Sequence, residues 1–219
     1  MKSFVVIGCG RFGESVARTL YGLGNEVMVI DRSEDSIREI SPEVTYAVCA
    51  DAMDKKVLDD LGLSNFDVAV IAIGSDIEAS IMATLVVKEL GIKKVIAKAQ
   101  SEIHKKVLDK IGADKVIFPE RDMGIRVAHN LTSTNILDFI EVSPDYNIIE
   151  LRALKEWENK TLAQLELSNK YKINVMAIKR KDQVIVSLIG QSMILKDDIL
   201  VIIGNTEDIH RAEKKMGVR

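Results

Sequence analysis

The sequence predicts an α/β protein with a doubly wound parallel sheet and a second, smaller α+β domain. Short β-branched runs alternate with helical patterns through the first two-thirds of the 219 residues. The runs are continuously apolar, as in parallel strands that are buried on both faces. After residue 146 the candidate strands follow one another more closely. Apolar residues make up 47% of the chain and aromatic residues only 5%, so we expect aliphatic cores.

Six strands are predicted in the first domain. In chain order they lie at residues 4–7, 26–30, 46–49, 68–73, 95–99 and 116–118. The second ends at Asp31, the fourth closes with Gly74 and carries the strongest apolar pattern, and Pro119 stops the sixth. Between strands, apolar residues recur at helical spacing, at positions 12, 16, 20 and 23, then 57, 58 and 61, then 81, 82, 85 and 86, and then 103, 107, 108 and 111. This alternation predicts helices on both faces of the sheet.

The pattern changes after the sixth strand. Residues 130–135 are rich in Ser, Thr and Asn, which is typical of a linker. We therefore place a first domain at residues 1–130, a linker or crossover at 131–140 and a small domain at 141–219. In the small domain, strands are predicted at 148–151, 175–178, 184–188 and 199–203, with a final helix at 206–215.

A glycine pattern directly after the first strand carries the predicted function. It is Gly8-Cys9-Gly10-Arg11-Phe12-Gly13, which fits Gly-x-Gly-x-x-Gly. It follows a strand and opens a helix, and Asp31 ends the next strand about 20 residues on, as in a Rossmann nucleotide-binding domain. The first glycine permits the tight turn, the second lets a diphosphate approach the backbone, and the third lets helix and sheet pack closely. The helix N-terminus offers N–H groups and a partial positive charge to phosphates.

Three charged residues bear on the choice of nucleotide. Asp31 can accept hydrogen bonds from ribose hydroxyls and would repel a 2′-phosphate. Arg32 would favour NADP if it faced the site, but we expect it to be exposed to solvent. Arg11 is a cation in the first turn of a helix, where it opposes the helix dipole, and a bound polyphosphate would reverse that penalty. This favours a nucleotide with a terminal phosphate, such as ATP, over NAD, with a solvated arginine as the alternative.

Other classes of function are disfavoured. The net charge is −3 and basic residues are scattered, so no nucleic-acid-binding face is expected. No apolar stretch approaches the roughly 20 residues that span a bilayer, and the N-terminus lacks a signal peptide's apolar region, so we predict a cytoplasmic protein. Tyr-x-x-x-Lys, HExxH and Walker A patterns are absent from the sequence. We expect His104, His129 and His210 at the surface, and Cys9 and Cys49 as small packing residues.

Further strings extend the glycine pattern along the chain. In order they are Asp51-Ala52-Met53-Asp54, Ala72-Ile73-Gly74, Ala97-Lys98-Ala99-Gln100 and Phe118-Pro119-Glu120-Arg121-Asp122-Met123-Gly124. With them, the chain resembles the KtrA/TrkA family of cytosolic regulators of bacterial potassium transport, over nearly its whole length. The family's domains are an RCK N-terminal domain and an RCK C-terminal domain. The spacing is similar to that of the Ktr branch, which has one nucleotide domain, rather than the longer duplicated Trk form.

The resemblance implies a ring, typically an octamer built from dimers, docked under a membrane potassium-translocating subunit at the inner face of the cell membrane. ATP and ADP would compete for the Rossmann site, and ATP would favour the active state. Arg11 would contact the terminal phosphate, and Glu120 would help to bind a divalent cation, Mg²⁺ or Ca²⁺. The residues that would form the nucleotide site are Gly8, Gly10, Arg11, Phe12, Gly13, Asp31, Arg32, Asp51, Ala52, Ile73, Gly74 and Lys98.

The resemblance also implies a second ligand. In this family the C-terminal domain often binds cyclic di-AMP at its dimer interface, and Asn174 lies in the matching stretch, residues 172–180. Ser187-Leu188 stands where relatives carry Ser-Pro. On the residues alone, two alternatives stay open: an NAD(P)-dependent oxidoreductase completed by a partner subunit, and a redox sensor that binds NADH. We expect a regulator rather than an enzyme, because the second domain is small for the substrate half of a dehydrogenase.

Overall fold

The chain folds as two compact units, Met1–Pro119 and Glu120–Arg219. The structure, a computed structural model, describes residues 1–132, 136–143 and 145–215. The helices within these ranges are all too short or too polar to cross a lipid bilayer.

The first unit is built on a six-stranded parallel sheet. Its strands are β1 (Ser3–Ile7), β2 (Glu26–Asp31), β3 (Tyr46–Cys49), β4 (Val68–Ile71), β5 (Lys94–Lys98) and β6 (Lys115–Ile117). They lie in the order β3-β2-β1-β4-β5-β6. In this order β1 lies between β2 and β4, and parallel pairing brings the carboxyl ends of all three to one edge of the sheet. The predicted Rossmann-type sheet is confirmed.

Five helices cover the sheet of the first unit. They are α1 (Arg11–Gly22), α2 (Glu34–Ile40), α3 (Lys55–Asp60), α4 (Ile77–Glu89) and α5 (Glu102–Lys110). The last four begin at Ser or Asp side chains that accept a backbone N–H of the first turn, a favoured helix start. On β1, Val5 and Ile7 enter one aliphatic core while Val6 enters another on the opposite face. Both faces of the sheet are therefore covered, as the continuous apolar strands predicted.

The second unit is a five-stranded antiparallel sheet with helices. In chain order its elements are α6 (Pro119–Thr132), β7 (Ile136–Glu141), β8 (Tyr146–Arg152), α7 (Leu162–Leu165), α8 (Leu167–Tyr171), β9 (Asn174–Arg180), β10 (Gln183–Ile185), β11 (Ile199–Asn205) and α9 (Thr206–Lys215). The strand order is β10-β9-β11-β8-β7. Its core gathers around the buried Trp157, Ile178 and Leu200. The predicted small α+β domain is therefore confirmed.

The structure divides the chain differently from the predicted linker at 131–140. Residues 136–140 lie in β7, which pairs with β8, and residues 133–135 lie outside the described ranges. The pairing of β7 shifts register between Ile136 and Asp138, as at a β-bulge. A bulge interrupts the two-residue alternation by which a strand is recognised in a sequence. The strand therefore lacks the pattern that would have predicted it.

Candidate nucleotide-binding site

The loop between β1 and α1 needs glycine at two positions for reasons internal to the protein. Gly8 has a φ of +98°, and a Cβ there would lie 2.9 Å from the Ile73 backbone nitrogen. A Cβ on Gly13 would lie 1.9 Å from the Gly8 carbonyl oxygen. The first glycine therefore makes the turn, and the third lets α1 approach the edge of the sheet.

Gly10 differs from the other two glycines. Its backbone is extended, with a φ of −76° that any residue can adopt, and apart from its two chain neighbours no residue has an atom within 4 Å of a Cβ built on it. The space over Gly10 is therefore open. This open space fits the expected approach of a diphosphate to the main chain at Gly10.

The N-terminus of α1 is suited to an anion. No side chain caps it at Gly10, so the N–H groups of its first turn have no side-chain acceptor there. The exposed side chain of Arg11 makes no hydrogen bond or ion pair with any other described residue. The next residue, Phe12, packs against the core and fixes the helix on the sheet. Free N–H groups, the helix dipole and a guanidinium thus lie together at the carboxyl edge of the sheet.

The carboxylate of Asp31 connects β2 to the glycine loop. Its Oδ2 accepts a hydrogen bond from the Cys9 backbone N–H at 2.6 Å, and its Oδ1 accepts one from the Ser33 N–H at 2.8 Å. An ionised carboxylate offers about four acceptor positions, so roughly two remain. Asp31 can therefore hold the loop and still accept two ribose hydroxyls.

Arg32 is exposed, as the sequence predicts, with 73% of its side chain accessible to solvent. Its Nη1 lies 3.8 Å from Oδ2 of Asp76. The other oxygen of Asp76 accepts the Ala79 N–H at 2.9 Å and caps α4. In the sequence, Asp76 is marked only as an acid just before a helix, so no pattern connects it with the site.

Lys98, at the end of β5, lies beside the glycine loop. Its Nζ is 5.9 Å from the centroid of the Phe12 ring, within reach of a cation–π contact. A Cβ on Gly74 would lie 3.1 Å from the same nitrogen. The predicted site residues from α1, β5 and the segment after β4 are thus adjacent at the carboxyl edge.

Three of the other predicted site residues have structural contacts of their own. Asp51 accepts the Met53 N–H at 2.9 Å and stabilises a turn, while its side chain is exposed. The Ala52 side chain is buried in the core, so only its main chain is available to a ligand. Ile73 is half-buried against the same core.

Glu120 and Asn174 belong to the second unit. Glu120 is exposed in the first turn of α6. Residues 1–132, 136–143 and 145–215 contain no group of three or more His, Cys, Asp or Glu side chains arranged to hold a metal ion. Asn174, at the start of β9, lines a cavity of 290 Å³ together with Glu166, Ser168 and Val175. The binding roles of both residues stay predictions.

The two cysteines differ in their surroundings. Cys9 is buried, as expected, and burial together with the charge of Asp31 raises the pKa of its thiol to about 11. Cys49 is exposed, and its thiol contacts the Arg32 carbonyl oxygen at 3.5 Å. The expectation of a packing residue is therefore wrong for Cys49, because it ends a strand at the open edge of the sheet.

His104 is buried, with 2% of its surface exposed, so the expectation of a surface histidine is wrong here. Its Nδ1 accepts the Gln100 N–H at 3.4 Å, while Nε2 is buried without a hydrogen-bond partner among the described residues. Burial lowers the pKa of this side chain, because the charged imidazolium loses its hydration. The side chains of His129 and His210 lie outside what the structure describes.

We expect acid to destabilise the first unit through His104. The unfolded chain titrates near the usual histidine pKa of about 6.5 and the folded state lower, so the unfolded state binds the proton more readily. The contribution to stability is complete above about pH 6.5 and declines as the pH falls toward the folded pKa. Thermal unfolding followed by circular dichroism from pH 7 to pH 5 would measure it. His104→Asn, which keeps an acceptor near Nδ1 but does not titrate, should show a smaller decline. Equal declines in both proteins would contradict the expectation.

Comparison with known proteins agrees with this geometry. Residues 4–119 match the TrkA-N domain, and residues 148–217 match the TrkA-C domain. The chain is 46% identical over 215 residues to the Ktr system potassium uptake protein C of Bacillus subtilis (strain 168). The aligned region covers 98% of this chain and 97% of that protein. It is 40% identical over 214 residues to the Ktr system potassium uptake protein A of the same organism, covering 98% and 96%.

A solved structure supports the fold. The GsuK channel bound to NAD superposes with a TM-score of 0.69 at 15% identity, over 98% of this chain and 39% of that one. This chain thus spans well under half of the length of the channel protein, and the likeness concerns the fold. The chain has a TrkA-N and a TrkA-C domain, and it is 46% and 40% identical to two Ktr proteins over 98% of its length. It therefore belongs to the KtrA/TrkA family of potassium uptake proteins.

Proposed function

We propose that this chain is a regulatory subunit that controls a membrane potassium transporter according to whether ATP or ADP occupies the glycine-loop site. Two relatives that match it over 98% of its length are Ktr system potassium uptake proteins. The described residues include no membrane-crossing helix, so a membrane subunit would provide the path for the ion. If a separate membrane subunit carries the ion, the role left for this chain is that of a nucleotide-dependent regulator rather than an oxidoreductase.

One observation carries the choice of ligand. Arg11 is an exposed cation at the N-terminus of α1, without a counter-ion among the described residues. Its charge opposes the helix dipole until an anion binds there. ATP and ADP differ only in the terminal phosphate, so a guanidinium that reaches that phosphate distinguishes them. NAD lacks a terminal phosphate and would leave Arg11 without such a contact.

The test is a calorimetric titration of the purified protein with ATP, ADP, NADH and NADPH. Arg11→Ala should weaken ATP binding about 10- to 150-fold, as expected for a charge-assisted hydrogen bond, and ADP binding much less. Arg18→Ala is the matched control, because Arg18 lies on the same helix but pairs with Glu14 and Glu43. Equal losses of ATP and ADP in Arg11→Ala would mean that Arg11 contacts only the shared phosphates. Tightest binding of NADH would favour the redox-sensor alternative instead.

A conformational signal needs two states that bind the ligands with different affinities. We propose that these are two shapes of a closed homo-oligomeric ring, an octamer built from dimers, held at the inner face of the membrane by its potassium-translocating partner. Glu120 would bind Mg²⁺ or Ca²⁺, since a carboxylate is a hard oxygen ligand. Scattering profiles with ATP and with ADP, each with and without Mg²⁺, test this. Identical profiles would contradict it.

Cyclic di-AMP is a proposed second ligand of the C-terminal domain. The support is the position of Asn174, which lines the 290 Å³ cavity beside α7 and α8. This cavity belongs to the second unit, so the two ligands would act on different units of the chain.

A further inference from the structure

One ion pair crosses the carboxyl edge of the sheet in the first unit. Arg32 directly follows β2, Asp76 lies between β4 and α4, and β1 lies between those two strands. Gly8, at the end of β1, begins the glycine loop. The contact between Arg32 and Asp76, at 3.8 Å, therefore joins the two loops on either side of the candidate site.

The two partners are held differently. Oδ1 of Asp76 is fixed by the Ala79 N–H, which leaves Oδ2 for Arg32. The Arg32 guanidinium is on a long, mostly exposed side chain whose backbone is adjacent to Asp31. A carboxylate held by the N–H of a helix start thus faces an exposed cation beside the carboxylate expected to hold the ribose.

A 2′-phosphate on the ribose would lie next to Asp31, and it would need a cation to offset the repulsion from that carboxylate. Arg32 is adjacent to Asp31 in the chain and could supply this cation. We propose that Asp76 is a specificity-determining residue of the nucleotide site. By pairing with Arg32 it opposes binding of a 2′-phosphate, so the site prefers nucleotides with a free 2′-hydroxyl. The inference rests on the proposed nucleotide function and deepens it, because it assigns the discrimination to Asp76 as well as Asp31.

The experiment compares NADH with NADPH, which differ only in the 2′-phosphate. In Asp76→Asn the ratio of NADPH affinity to NADH affinity should rise about two- to fivefold, the range expected for removal of an exposed ion pair. Asparagine is as good a helix cap as aspartate, so α4 should keep its start. In the double variant Arg32→Ala/Asp76→Asn the ratio should not rise, because the cation that would bind the 2′-phosphate is gone. The double variant is also the control for the general gain in anion affinity, because loss of the Asp76 charge alone would favour the more highly charged NADPH even without Arg32.

The outcomes separate this inference from the proposed function. If the wild-type protein binds ATP and the ratio is unchanged in Asp76→Asn, the assignment of Asp76 is overturned while the proposed function stands. An equal rise in the double variant would also overturn it, because the effect would then not act through Arg32. If the wild-type protein binds no nucleotide, both the proposed function and this inference are overturned.

Discussion

Replacing Asp198 with Asn is expected to lower the free energy of unfolding of the second unit by about 3 kcal/mol. The Asp198 side chain is 1% exposed, and its two oxygens accept hydrogen bonds from Nε and Nη2 of Arg180, each at 2.8 Å. Oδ2 also accepts the Leu195 N–H at 2.8 Å. Removing the negative charge leaves a partly buried guanidinium without its counter-ion. We take the low end of the usual range of about 3–5 kcal/mol because Arg180 keeps 32% exposure.

The measurement is specific to the second unit because Trp157 is the only tryptophan of the chain and is buried in that unit's core. Denaturant unfolding followed by its fluorescence therefore reports on this unit. Lys170→Gln is the matched control: it removes an exposed ion pair with Glu166 in the same unit and should cost about 0.5 kcal/mol or less. If Asp198→Asn were no more destabilising than Lys170→Gln, the buried pair would not be a determinant of stability.

The same variant should alter the acid stability of the second unit. Burial alone would raise the pKa of Asp198, but the hydrogen bonds from Arg180 and Leu195 and the charge of Arg180 outweigh it, so the pKa is lowered. The stabilisation is therefore present above the unfolded-state pKa of about 3.9 and is lost as the pH falls through the lower folded pKa. Asp198→Asn should show a flatter dependence of stability on pH below about 4. A steeper one would contradict the assignment.

The parallel sheet was predictable from the sequence because its strands are buried on both faces and are therefore continuously apolar. The strands of the second unit were harder to predict, because the apolar pattern of an edge strand does not mark where its pairing ends. β10 pairs with β9 for three residues, 183–185, and ends there, although the predicted strand extends to 188; Val186 is exposed. β7 was missed because a bulge interrupts its alternation.

The site was predictable where chemistry fixes the residue type and not where contacts come from distant loops. Gly8 and Gly13 were recognised because backbone sterics admit no other residue, and the structure gives each a backbone atom within 3 Å of a built Cβ. The pairing of Arg32 with Asp76 could not be inferred, since it depends on strand order rather than on local pattern. The burial of His104 could not be predicted from the sequence either. His104 lies in the first turn of α5, and α5 packs against α4.

Alanine at the second and at the third glycine of the pattern is expected to separate folding from binding. In Gly13→Ala the new Cβ would lie 1.9 Å from the Gly8 carbonyl oxygen and 3.0 Å from Cβ of Ala72. Both neighbours are part of the packed edge of the sheet, so α1 has to move away from it. We expect the first unit to lose about 3 kcal/mol of stability, at the upper end of typical overpacking costs.

Gly10→Ala makes the same chemical change in open space. Its Cβ would meet no atom within 4 Å apart from those of its two chain neighbours, and its φ of −76° is available to alanine. Stability should therefore change by less than about 1 kcal/mol, because the weaker helix cap is offset by the smaller entropy of the unfolded chain. The methyl group would stand where a diphosphate approaches the backbone, so ATP and ADP should each bind at least about tenfold more weakly.

Circular dichroism and hydrogen exchange of β1 and β4 would measure the stability of both variants, with Trp157 fluorescence as an internal reference for the second unit. A Gly10→Ala protein that keeps its affinity for both nucleotides would place the phosphates elsewhere, and a stable Gly13→Ala protein would show that the edge of the sheet can yield.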